Sequence, residues 1–186
     1  MSVFSNRSID PPQERARYAG AILDLLGDRE PLTVLRTTPA ALTQAFHGLT
    51  HAQLRTPEGP GKWSIVHVLQ HLADSDLVWG WRVRLILAHD RPVITGYDQD
   101  LWAERLRYAD ADPDEATTTF DVLRRANVKL IARATPAELQ RSGVHSERGE
   151  ESIEYLVRLY AGHDLLHLKQ IDRIRAAVAT EATSKF

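Results

Sequence analysis

Four stretches of this chain repeat their apolar residues at helical spacing, and almost nothing in it alternates as a strand would. In the first, from Pro12 to about Leu26, Ala19, Ile22, Leu23 and Leu26 lie three or four residues apart. The second begins after Ser64, whose hydroxyl suits an N-cap, and runs to about Ala88. Asp112-Pro113 starts the third, which carries Phe120, Leu123, Leu130 and Ile131 and ends near Ala134-Thr135-Pro136. The fourth spans about Glu150 to Ala179 after a polar loop. Pro31 and Pro39 punctuate the segment between the first two, predicting short helices at about 31–37 and 39–47. Residues 55–62 and 89–97 read as loops, 98–107 as a short helix and 1–11 as an irregular lead-in. Only Pro92-Val93-Ile94-Thr95 is even weakly strand-like. The expected class is all-α: a four-helix bundle with short extra helices, one domain over residues 1–186. The long connection from Leu26 to Ser64 leaves the helix order open.

Composition narrows the chemistry. The chain has no cysteine, so disulfides, thiolate metal sites and Cys nucleophiles are excluded. Net charge is −2 with both signs interspersed, which argues against nucleic-acid binding. No apolar run approaches the ~20 residues that span a bilayer, and the first residues lack the apolar core of a signal peptide. A cytoplasmic protein without nucleic-acid or membrane partners is expected. A nucleophile elbow, a phosphate-binding Gly-rich loop and H-E-x-x-H are all absent.

The histidines carry the signal. His163 and His167 stand four apart on the last helix, roughly 40° apart around its axis, so both imidazoles can reach one ion. They fall within the apolar stripe of Ile153, Leu156, Val157, Tyr160, Ile171, Ile174 and Val178. Two buried imidazoles need partners for their ring nitrogens, and a metal satisfies both. The alternative is a pair of core histidines bonded to carbonyls, waters or Asp164. A second H-x-x-x-H, His67 and His71, lies on the helix after Ser64. At ~100° per residue His71 sits about 120° from the centre of that helix's apolar stripe and His67 about 160°. His71 is therefore the one nearer the interior, flanked by Val68, Ser75 and Val78. Three imidazoles from two facing helices leave coordination positions open, as catalytic sites do. Nitrogen ligands without thiolate suit Zn, Ni, Co or Fe.

Other polar residues have plainer expectations. Asp74 reads as solvated. Asp76 lies near the stripe and needs an arginine, a cap or a histidine N–H. Asp98 is placed to cap the short helix, with Trp102 packed behind it. His47, His51, His89 and His145 read as surface residues. Arg82 and Arg84 read as solvated charge, with contact to an anionic ligand as the alternative.

Read together, K-W-S-I-x-x-x-x-x-H-L-A-D-S (Lys62–Ser75), Y-D-Q-D-L-W (Tyr97–Trp102) and H-D-L-L-H (His163–His167) resemble the DinB/YfiT superfamily, over about residues 39–175. The YfiT-like branch of metal-dependent hydrolases and bacillithiol S-transferases is most similar. The resemblance implies an up-down-down-up four-helix bundle with a metal near one end, held by His71, His163 and His167. It also implies a homodimer, and transfer of bacillithiol, mycothiol or glutathione to a small electrophile. Gln70 and Gln170 depart from the pattern, which often has histidine at or near these positions.

Three readings follow. One is a metal-dependent enzyme that transfers a low-molecular-weight thiol to a small-molecule substrate. Another is a metal-dependent hydrolase, with Asp76 or another carboxylate as base. The last is a non-catalytic metal-binding stress or interaction protein.

Overall fold

The computed structural model describes residues 12–183. The irregular lead-in expected at 1–11 lies outside the described residues. The helices are α1 (Pro12–Leu26), α2 (Pro31–Phe46), α3 (His51–Arg55), α4 (Ile65–Ala88), α5 (Gln99–Arg105), α6 (Pro113–Ile131), α7 (Pro136–Leu139) and α8 (Ile153–Thr183). Three short strands, β1 (Val93–Ile94), β2 (Ser142–His145) and β3 (Gly149–Ser152), lie between them. Side-chain acceptors start several helices. Glu30 accepts from Leu32 N and Thr33 N ahead of α2, Asp98 caps α5, and Asp112 caps α6 with Pro113 at the first helical position. Ser64 stands at the N-cap position of α4 but makes no cap bond. Its hydroxyl instead meets His67 Nδ1 at 2.8 Å.

The expectation of two short helices around Pro39 is corrected: α2 runs through that proline. An internal proline cannot donate to the carbonyl four residues back, so Leu35 O loses its helical partner. The Arg124 guanidinium donates to that carbonyl at 3.1 Å. A tertiary hydrogen bond thus replaces the missing local one and keeps the helix whole. A second correction follows. The fourth member of the bundle is α2, packed on α6 and α8, whereas α1 packs chiefly on α8.

Two apolar clusters reveal the direction of each helix. In one, Ile65, Val68, Leu69 and Leu72 of α4 meet Ala116 and Phe120 of α6, Leu42 of α2, and Ile171 and Ile174 of α8. In the other, Trp79, Val83 and Ile86 of α4 meet Val128 and Ile131 of α6, Val34 and Leu35 of α2, and Ile153, Leu156 and Tyr160 of α8. The helices α4 and α6 run from the first cluster to the second, and α2 and α8 run from the second to the first. The order is therefore up-down-down-up.

Between the clusters lies a polar layer. Arg124 is 1% exposed and pairs with both Asp76 and Asp164. Asn127 donates to Asp76 Oδ1 and to the Asp76 carbonyl. Asp76 thus finds the arginine partner its position demanded. Burial pushes the Asp76 carboxyl up to about 6, against the opposing pull of Arg124 and Asn127. Asp74 is a further correction. It is half-buried and accepts from the Tyr108 hydroxyl at 2.5 Å and from Gln70 at 3.2 Å.

The two long loops are stitched together. β1 pairs parallel with β2 (Val93 opposite Val144), and β2 pairs antiparallel with β3 (Ser142 opposite Ser152). The weakly strand-like Pro92–Thr95 segment does contain a strand, the polar loop before the last helix contains β2, and β3 takes the first residues expected of that helix, which starts at Ile153 instead of about Glu150. His145, expected at the surface, is buried in β2. His47, His51 and His89 are exposed as expected.

On the other side of the bundle α1 lies unusually close to α8. A Cβ at Gly162 would come within 2.2 Å of the Ile22 carbonyl oxygen. Only glycine lets the two backbones meet there.

Candidate metal centre

The structure brings His71 of α4 together with His163 and His167 of α8. His71 lies about two turns into its helix, and the other two lie near the middle of α8, level with the polar layer. His71 thus stands at the level of the first apolar cluster, and His163 and His167 between the two clusters. His163 Nε2 lies 3.2 Å from His71 Nε2 and 3.1 Å from His167 Nε2. The rings meet edge to face or tilted, at 56° to 72°, so the nitrogens converge and the ring faces do not stack. One ligand atom from each residue falls within a 4.8 Å span.

These contacts cannot all be ordinary hydrogen bonds. His167 Nδ1 faces the Gln170 Oε1 acceptor at 2.8 Å, so Nδ1 holds the proton and Nε2 holds a lone pair. A bond between His163 and His167 then requires the proton on His163 Nε2. That nitrogen has no lone pair left for His71 and only one hydrogen to share. No extra proton resolves the conflict, because burial keeps the imidazoles neutral. It pushes His163 and His167 down to about 3, and His71 well below its ordinary value with the other two imidazoles adding to the effect. Neutral, convergent Nε2 donors are the set a divalent ion accepts. The buried Nδ1 atoms of His71 and His163 have no hydrogen-bond partner, so only His167 is oriented by a neighbouring acceptor.

The other sequence candidates stand apart from this convergence. His67 is half-buried and bonded to Ser64. Asp164 does not contact the histidines but forms a two-pronged pair with Arg124. Asp76 is committed to Arg124 and Asn127, which removes it as the expected base. Trp102 packs against Tyr97, with ring centroids 4.5 Å apart.

A pocket of about 60 Å³ opens on His71 and His163. That is room for a few water-sized groups, so the pocket admits the reactive end of a molecule. Three phenols, buried Tyr18 and Tyr160 and half-buried Tyr97, contribute to its wall. Burial raises the pKa of each, so all three stay neutral hydroxyls. The Tyr97 hydroxyl lies 2.9 Å from Ser75 Oγ, which is 3.4 Å from His71 Nε2. Arg148 lines the pocket too, with its Nε and Nη2 on the two oxygens of Glu151. Glu147 is the carboxylate in the lining. Arg82, expected to be solvated, is 4% exposed and lines the same pocket. Its alignment with His71 is visible in the sequence, but its burial is not. His71, Ser75, Val78 and Arg82 recur four, three and four residues apart, which aligns them along one face of α4.

Comparison with known proteins places the chain in a family. The sequence profile of the DinB superfamily matches residues 35–171. YfiT of Bacillus subtilis (strain 168), named "Putative metal-dependent hydrolase YfiT", is 31% identical over 144 residues, covering 77% of this chain and 81% of that protein. A Bacillus mycoides (strain KBAB4) protein of the same description is 29% identical over 158 residues, covering 85% and 90%. The solved structure of B. subtilis YfiT, described as having "an unusual four-helix bundle topology", superposes with a TM-score of 0.75 at 25% identity. It covers 95% of this chain and 94% of its own. With a profile match across most of its length and a shared bundle, the chain belongs to the DinB superfamily.

Proposed function

We propose that the protein is a metal-dependent enzyme. In this reading His71, His163 and His167 hold one divalent ion, and a low-molecular-weight thiol is transferred to a small electrophile in the adjoining pocket. The convergence of three neutral Nε2 atoms, with no carboxylate among their hydrogen-bond partners, carries the reading. A divalent ion in such a site lowers the pKa of a thiol or water in its open positions. A free thiol titrates near 8.5 and water far higher, so a thiol needs the smaller shift and no protein base. The thiolate sulfur bonds to the electrophilic carbon, whose leaving group departs with the bonding pair. The thiol proton goes to solvent. Within the chain, the Tyr97–Ser75 pair offers hydroxyls beside His71, and the buried wall of α1 and α8 limits water.

The hydrolase reading is favoured by the relatives' names and by Glu147 in the pocket lining. There Glu147 would take the proton of an attacking water. The two readings separate in one set of assays. Elemental analysis of the native chain should find near-stoichiometric Zn, Ni, Co or Fe, and His163→Ala should lose it. Turnover of an electrophilic bimane by the metal-loaded protein should require added thiol and survive Glu147→Gln. Thiol-independent ester cleavage abolished by Glu147→Gln would establish the hydrolase instead. A native chain that takes up no metal after incubation with divalent ions would sink both.

A further inference from the structure

Arg82 is a buried cation whose Nε makes no hydrogen bond. Its Nη2 donates to the Thr95 carbonyl at 2.6 Å, and its Nη1 reaches the Tyr160 hydroxyl at a long 3.4 Å. Its Nε has no partner although the atom is fully buried. No salt bridge to a carboxylate among the described residues involves it. A guanidinium stays charged at any physiological pH, and burying it without a counterion is costly. Buried Arg124 and half-buried Arg148 show what such a group takes. Arg124 sets Nε and Nη2 on Asp76, and Arg148 sets the same two nitrogens on Glu151. On the matching edge of Arg82, Nη2 meets the Thr95 carbonyl and Nε meets no acceptor.

The position of Arg82 says where that carboxylate would belong. It lies three turns after His71 on one face of α4, ~16 Å along the axis at 1.5 Å per residue. Helical side chains lean toward the N-terminus, so the guanidinium reaches back toward the histidines. Its contact, Tyr160, lies 6.0 Å from the His163 ring, centroid to centroid.

We infer that Arg82 is a specificity-determining residue that binds a carboxylate on the substrate or thiol co-substrate, at the end of the pocket away from the three histidines. This deepens the metal-enzyme reading and rests on it for the reacting end of the ligand. A carboxylate is the group favoured here because Arg124 and Arg148 both set their Nε on one, and Nε is the nitrogen of Arg82 without a partner.

The probes are linear ω-mercapto acids of three to eight carbons, their amides, and alkyl phosphates of matching length. Binding is read by calorimetry on metal-loaded and metal-stripped protein, in wild type, Arg82→Met and Arg82→Lys. Wild type should bind one acid about 10- to 100-fold more tightly than its amide, the usual worth of a charged hydrogen bond. Arg82→Met should bind acid and amide alike while keeping its metal and melting temperature, since an apolar group of similar size is tolerated at a buried charge. Arg82→Lys should keep part of the preference. The inference is overturned if wild type binds acid and amide equally, if Arg82→Met keeps the preference, or if the phosphate binds more tightly. Failure of the metal reading shows separately, as absent metal in wild type, because the acid preference is also read on stripped protein.

Discussion

At the scale of single residues, the three histidines combine burial with neutrality, and that has a measurable sign. His163 and His167 titrate near 3 in the folded chain, against an ordinary 6.5 when unfolded. Between those values the folded state binds fewer protons than the unfolded one, so their contribution to stability is complete above about pH 6.5 and lost as pH falls toward 3. Thermal melts of metal-free protein should therefore show a midpoint that drops as pH is lowered from 7 to 4. Protons also compete with a metal for the same nitrogens, so metal affinity should fall in the same direction. Arg124 is the other decisive residue. It neutralises two buried carboxylates and also takes up the Leu35 carbonyl. Arg124→Met should cost about 3–5 kcal/mol in urea unfolding, because Asp76 and Asp164 are left as uncompensated buried charges. His163 and His167 were readable because polar residues on an apolar helical stripe stand out. Arg82 and His145 were misread because each looks like an ordinary polar residue until the elements packed over it are known.

At the scale of elements, α2 shows tertiary structure overriding a local rule. Proline in a helix interior normally costs about 3 kcal/mol, and the sequence accordingly predicts a break at Pro39. The partner that removes part of that cost is Arg124, 85 residues further along the chain, and no local pattern announces it. A double-mutant cycle tests the coupling. In a Pro39→Ala background, residue 39 again offers an N–H to Leu35 O. Arg124→Met should then be less destabilising than in the wild type by about 1 kcal/mol, the net worth of one hydrogen bond. The contact between α1 and α8 has its own test. Gly162→Ala sets a Cβ 2.2 Å from the Ile22 carbonyl, so α1 must move. A loss of about 1–3 kcal/mol is expected from this overpacking. The pocket wall formed by Tyr18 and Ile22 should loosen with it, seen as faster amide exchange in α1. The strands escaped the sequence for a related reason. Ser142–His145 and Gly149–Ser152 hold only one β-branched apolar residue, Val144, and β1 finds its partner about 50 residues away.

At the scale of the whole molecule, the site exists because a polar layer interrupts the core. Each of α2, α4, α6 and α8 contributes to both apolar clusters, which hold the four helices in register above and below that layer. His163 and His167 sit at this level on α8, and His71 meets them from the first-cluster end of α4. The pocket needs more than the bundle. Its walls come from α1, α4, α8, the loop after β1 and the turn between β2 and β3. An ion joining α4 to α8 should stabilise the entire fold. At a free concentration a hundredfold above its dissociation constant it contributes about 2.7 kcal/mol, so a chelator should lower the melting temperature of metal-loaded protein. His163→Ala should show no chelator response.

Helical periodicity, proline and glycine punctuation and the absence of cysteine were enough to specify an all-α chain with imidazole as its available nitrogen ligand. The spacing of His163 and His167 was enough to set both on one buried helical face. These properties are local, decided within a few turns of one helix. The convergence of His71 on that pair, the unbroken α2, the directions of the four helices and the burial of Arg82 were decided only by tertiary structure. Each depends on contacts between segments tens of residues apart, where a side chain's partner is chosen by how whole helices pack and not by its neighbours in sequence.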